Sequence, residues 1–157
     1  MRRDDILRDL QTRFSLQIKE LVDKSSKRVY IQIDPSAIRA MSSYLLKDLG
    51  ARFNIASGID ERTHMEILYH YTLEDLNLII TLLVKLSKEK LAIDSLATLF
   101  EGANWIEREI HEILGIDFIG HPDLRRLLLP EGWPEGVYPL RRDYKEWDPN
   151  AVRTRGA

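Results

Sequence analysis

The alternation of apolar and polar positions divides the chain into short elements. Ile6, Leu7, Leu10, Phe14, Ile18 and Leu21 recur at helical spacing with charges between them, which predicts a helix over residues 4–22. "RVYIQI" (28–33) alternates, with Val29, Ile31 and Ile33 on one face, and predicts a half-buried strand. "DPSAIRAMSSYLLKDLG" predicts a helix, with Asp34 as N-cap, Pro35 at the first helical position and Gly50 as its stop. Ile38, Met41, Leu45 and Leu49 mark its buried stripe. Strands are predicted at 52–57, 65–71 and 76–86, with the polar turn "GIDERT" after the first. The last is apolar on one side and partly on the other, through Ile79 and Leu83, as a strand inside a sheet would be. A further helix is predicted from Ala103 to Leu114, stopped by Gly115. A strand–helix–strand crossover followed by a meander makes a mixed β-sheet with helices packed on it, an α+β domain over residues 1–118.

After Phe118 no period survives for long, and residues 119–157 read as an extended irregular C-terminal tail rich in proline, glycine and arginine. Disordered tails are poor in aromatic and bulky aliphatic residues. This one carries Leu127, Leu128, Leu129, Trp133, Tyr138, Tyr144 and Trp147, so it is expected to be ordered against a surface, partly its own domain and partly a partner.

Composition narrows the chemistry. The 157 residues fit one domain with a real core, and a net charge of -2 gives no global attraction to nucleic acid or an anionic membrane. There is no cysteine, which excludes disulfides, thiol chemistry and a cysteine-ligated iron–sulfur cluster carried by this chain alone. The N-terminus lacks the apolar run of a signal peptide, and the 76–86 stretch is too short to span a bilayer, so a cytosolic chain, or a peripheral part of a membrane complex, is expected.

The densest cluster of ionisable groups is "WIEREIHEILGIDF" (105–118). On a helical wheel Ile106, Ile110, Ile113 and Leu114 share one stripe, while Glu107, Arg108 and His111 lie opposite or oblique to it. Arg108 and Glu112 are spaced i,i+4, as are Glu107 and His111, which reads as a surface helix laced by weak ion pairs. Neither the two-histidine zinc pattern nor the repeated Glu-x-x-His pattern of di-iron helices is present. Carboxylates crowded on one helix do not form a glycosidase pair across a cleft, and no glycine-rich phosphate cradle occurs. Tail arginines interleaved with Trp and Tyr could contact nucleic acid, but nearby acids nearly balance them; mixed charge with Trp, Tyr and Arg fits a protein interface better.

"ANWIEREIHEILGIDFIGHPDLRRLLLPEGW", followed by "YPLRRDY", closely resembles the signature of the respiratory complex I thirty-kilodalton subunit family, which includes the equivalent subunit of energy-converting membrane-bound [NiFe] hydrogenases. The shared pattern covers about residues 103–144. The resemblance implies a cofactor-free accessory subunit of a peripheral arm, packed against the large [NiFe]-type or quinone-site subunit. Iron–sulfur clusters, and in the hydrogenases a [NiFe] centre, belong to partner subunits. The expected partners are that large subunit and the small iron–sulfur subunits, with the membrane reached only through them, on its cytoplasmic side. The short sequence after "PLRRDY" leans toward the hydrogenase type, with NADH:quinone oxidoreductase the alternative.

The docking surface expected on this resemblance takes Trp105, Glu107, Arg108, Glu109 and Glu112 from the helix. It takes His121, Asp123, Arg125 and Arg126 from "GHPDLRR", where Gly120 and Pro122 shape a fixed turn, and Trp133, Arg141, Arg142 and Tyr144 from the tail. Arginine suits such a surface because its planar fork pairs with carboxylates and stacks on rings. The tail is expected to run extended over the partner as a clamp, its ordering cost met on binding.

Overall fold

A computed structural model describes residues 2–145. Trp147, named above among the tail's bulky residues, lies outside the described residues, as do two of the tail's arginines, Arg153 and Arg155.

The first helix, α1 (Arg3–Arg13), is shorter than its periodicity predicts. Residues 14–17 form a turn, in which the N–H of Ile18 donates to the carbonyl of Phe14 at 2.9 Å, and strand β1 (Ile18–Ser25) follows. Ile18 and Leu21 continue the helical spacing of α1, yet they belong to a strand. A register shift after Ile18 inserts an extra residue, so Ile18 faces Ile33 and Leu21 faces Ile31 on the neighbouring strand. A β-bulge thus imitates a helical period.

The predicted strand and helix that follow are both present. Strand β2 (Arg28–Ile33) buries Val29, Ile31 and Ile33. Asp34 caps the next element by accepting from the Ser36 N–H at 3.0 Å, and Pro35 opens a 3-10 turn (Pro35–Ala37). The turn continues as helix α2 (Ile38–Ser43) and a π-helical turn (Tyr44–Asp48). Gly50, at φ 66, reverses the chain as expected.

Strands β3 (Arg52–Asp60), β4 (His64–Leu73) and β5 (Leu78–Ser87) complete the main sheet. Its order is β1-β2-β5-β4-β3. β2 and β5 run parallel and the other pairs antiparallel, so the sheet is mixed and the doubly apolar β5 lies at its centre. One face carries Val29, Ile31, Leu82, Tyr69 and their neighbours, and against it pack Ile6 and Leu10 of α1 and Met41 and Leu45 from the second helical run. The chain is therefore an α+β layer structure with its core between sheet and helices.

Beyond β5 the chain forms β6 (Ala92–Asp94), helix α3 (Ala103–Leu114) and β7 (Asp117–Ile119). β6 and β7 pair in parallel as a separate small sheet, too short to register in the hydrophobic pattern. Helix α3 lies across β3 at Gly58, where a Cβ would collide with Leu114 and crowd Ile110. Residues 120–145 contain no helix or strand and wrap back over α3. No helix among the described residues is long and apolar enough to cross a membrane.

Candidate partner-docking surface

Helix α3 has the bounds its sequence predicts, and Gly115 ends it at φ 73, donating its N–H to the His111 carbonyl at 2.8 Å. Its orientation differs from the wheel. Ala103, Glu107, Ile110 and Leu114 form the inward line, and Glu107 is 0% exposed. On the wheel Glu107 stands oblique to the stripe, ~20° from Leu114, and its polarity alone argues for the outside; the structure corrects that by providing buried donors. Ser95 Oγ donates to one carboxylate oxygen at 2.5 Å and the Leu96 N–H to the other at 2.6 Å, tying the loop before α3 to the helix.

The His121 ring is 3.9 Å from the Glu107 carboxylate, and both side chains are fully buried. His121 Nε2 lies 3.0 Å from the Asn104 carbonyl, and its Nδ1 accepts from the Asp123 N–H at 3.0 Å. Both contacts suit the neutral Nε2–H tautomer. His121 is thus the pin that fastens the "GHPD" turn to the start of α3. Burial raises the pKa of Glu107 above the ordinary carboxylate value, against the hydrogen bonds from Ser95 and Leu96.

Arg108 and Glu112 do not form the ion pair their i,i+4 spacing predicts; each holds tail backbone instead. Arg108 donates to the carbonyls of Arg125 and Arg126 at 2.9 and 2.8 Å. Glu112, buried, accepts from the consecutive amides of Leu127, Leu128 and Leu129 at 3.2, 2.8 and 2.9 Å. Arg126 turns inward over its own loop and donates to the carbonyls of Pro130, at 2.8 Å, Glu131 and Trp133.

The rest of the tail is fastened in the same way. Trp133 donates its indole N–H to the Val137 carbonyl at 2.7 Å and stacks with Tyr144. Arg141 lies over the Tyr138 ring and donates to the Leu114 carbonyl at 2.8 Å, over the space left by Gly115. The Arg142 N–H donates to Asp60, whose other oxygen is 2.6 Å from Lys88 Nζ. Burial disfavours the Asp60 anion, but Lys88 and the Arg142 N–H outweigh it and hold its pKa below the usual value.

The expected docking residues therefore divide. Arg108, Glu112, His121 and Arg141 hold the tail to the domain, Arg126 closes the tail's own loop, and Glu107 ties the loop before α3 to the helix. Trp133 and Tyr144 are partly buried within it. Trp105 points outward at 69% exposure, Arg125 is exposed and paired with Asp123 at 2.7 Å, and the Arg142 side chain is also exposed. Glu109 is half-buried on the outer side of α3. Sequence reasoning does not single out Ser95 or Asp60, and it names Leu128 only together with Leu127 and Leu129 as a bulky aliphatic of the tail, a run that gives no direction for each side chain. No group of three or more metal-ligating side chains occurs among the described residues.

The model of the family described as "Respiratory-chain NADH dehydrogenase, 30 Kd subunit" matches residues 31–149. The C/D-type subunit of the NADH-quinone oxidoreductase of Buchnera aphidicola is 35% identical over 77% of this chain, which spans 23% of that relative's length. The C-type subunit of the F(420)H(2) dehydrogenase of Methanosarcina mazei is 31% identical over 94% of this chain and 95% of its own. Among solved structures, one polypeptide of the membrane-bound sulfane sulfur reductase, described as an archaeal respiratory membrane complex, superposes with a TM-score of 0.77 at 16% identity, over 92% of this chain and 86% of that one. A trypsin-resistant fragment of Nqo5 gives a TM-score of 0.64 at 18% identity, over 79% of this chain and all of the fragment. These two similarities concern the fold.

Proposed function

The chain belongs to the respiratory-chain NADH dehydrogenase 30 Kd subunit family, and we propose that it is a non-catalytic accessory subunit of a membrane-associated, ion-translocating oxidoreductase complex. It docks on the large subunit of that complex and, beside it, on the small iron–sulfur subunits. Residues 1–118 form the scaffold and 119–157 the docking arm. The electron-carrying groups, iron–sulfur clusters above all, reside in the partners, and the membrane is reached through them from its cytoplasmic side. Relatives named as parts of NADH-quinone oxidoreductase and F(420)H(2) dehydrogenase favour a dehydrogenase of this class over the energy-converting [NiFe] hydrogenase expected from the sequence.

The observation that carries the docking reading is the outer side of α3. Four titratable side chains of α3 and the tail, Arg108, Glu112, Arg126 and Arg141, are spent on fastening the tail, leaving Trp105 outward beside it. An exposed tryptophan on a fixed platform is the anchor type that dominates protein interfaces. Co-expression of the tagged chain with the large subunit tests this. Stoichiometric recovery is expected from the wild type and at least about a 30-fold loss from Trp105→Ala, a hot-spot-sized effect. Equal recovery with both would refute docking through this surface.

A further inference from the structure

We propose that residues 125–133 are a prefolded plug whose Leu128 side chain enters an uncharged apolar recess on the neighbouring subunit, in a contact that excludes water; this rests on the accessory-subunit reading above. A surface loop ordinarily leaves its backbone groups to solvent. Here three consecutive amides are taken by Glu112, the carbonyls of Arg125 and Arg126 by Arg108, and those of Pro130, Glu131 and Trp133 by Arg126. Water would satisfy the same groups without the entropy cost of immobilising two arginines. Internal pairing becomes necessary when water leaves, because an unpaired polar group in a dry contact is heavily penalised.

The side chains agree with the backbone. Leu127 and Leu129 are half-buried, whereas Leu128 is 61% exposed on top of amides already satisfied. The charges around it sum to zero, Arg108, Arg125 and Arg126 against Glu112, Asp123 and Glu131, with Arg125 paired to Asp123 and Glu112 bonded to the loop's own N–H groups. One aliphatic side chain on a neutralised base is complementary to an apolar recess without net charge. It suits a bilayer poorly, since one leucine on a base without net charge offers little apolar area and no net attraction to an anionic headgroup layer.

The test uses the full chain co-expressed with the other peripheral subunits. Leu128→Glu is compared with Leu16→Glu, a change at the exposed turn after α1. Leu128→Glu is expected to cut recovery of the neighbour by at least about tenfold and Leu16→Glu to leave it unchanged, while both isolated chains keep wild-type circular dichroism and melting. Recovery with Leu128→Glu equal to wild type overturns the plug, and because Trp105→Ala is scored separately, that result leaves the docking reading standing. The amides of 127–129 are expected to exchange slowly in the isolated chain; protection that arises only with the partner overturns the prefolded state. Binding of the isolated wild-type chain to mixed phosphatidylcholine–phosphatidylglycerol vesicles that Leu128→Glu abolishes would assign the leucine to a lipid surface and overturn the inference.

Discussion

Glu112→Ala separates the stability of the tail from that of the domain. The carboxylate accepts three backbone amides, and a hydrogen bond to a charged group contributes about 1.5–3 kcal/mol net. The three share one acceptor, and freed amides in this partly exposed segment can take water, so the sum falls well below three independent bonds. About 2–4 kcal/mol against local opening of 125–133 is the working figure. The helix itself loses nothing, since alanine is the better helix former and a carboxylate in the last turn opposes the helix dipole. Hydrogen exchange at 127–129 should therefore accelerate by about 30- to 1,000-fold. Exchange in the middle of α3 stays near wild type, and trypsin gains access after Arg125 and Arg126. If these amides keep their wild-type exchange in a folded Glu112→Ala chain, the carboxylate does not fasten the tail and the loop is held by something else.

Three other perturbations follow from the same contacts. Tyr69 is buried with no hydrogen-bond partner for its hydroxyl among the described residues, and burial together with the Glu107 charge pushes that hydroxyl's pKa far up; Tyr69→Phe should be neutral or stabilise by about 1 kcal/mol in urea unfolding, and a loss of stability would mean the hydroxyl is paired after all. Gly115→Ala places a methyl against Tyr138 and Arg141 at a left-handed φ, so thermal unfolding should show at least about 1–2 kcal/mol of loss, with faster exchange at Leu140, whose N–H donates to Ile113; an unchanged melting curve would contradict this packing. Because the folded pKa of Glu107 is raised, the native state holds more protons than the unfolded one between the ordinary value of 4.5 and the raised one, so this residue makes stability fall as pH rises through that window. Glu107→Gln should flatten the slope in urea midpoints measured from about pH 4 to about pH 7; an unaltered slope would show that Glu107 does not carry it.

Much of the frame is legible in local pattern. Strict alternation marked β2 and β4, and the two-sided apolar run placed β5 inside the sheet; Asp34, Pro35 and Gly115 marked helix ends, because caps and backbone conformations are local properties. The motif from Trp105 to Tyr144 pointed to the family for the same reason: its residues stand in one contiguous stretch. Contacts between distant segments settle what local pattern leaves open. A bulge in β1 reproduces a helical spacing, so Ile18 and Leu21 read as helix. Glu107 turns inward because Ser95 and Leu96, twelve and eleven residues earlier in the chain, supply the donors that make burial tolerable. Arg108 and Glu112, spaced for each other, bond instead to a segment more than a dozen residues away. A helical wheel gives angles and leaves polarity to choose the inner face, whereas the fold ranks polar residues by whether a partner is within reach, and those partners come from parts of the chain that only folding brings together.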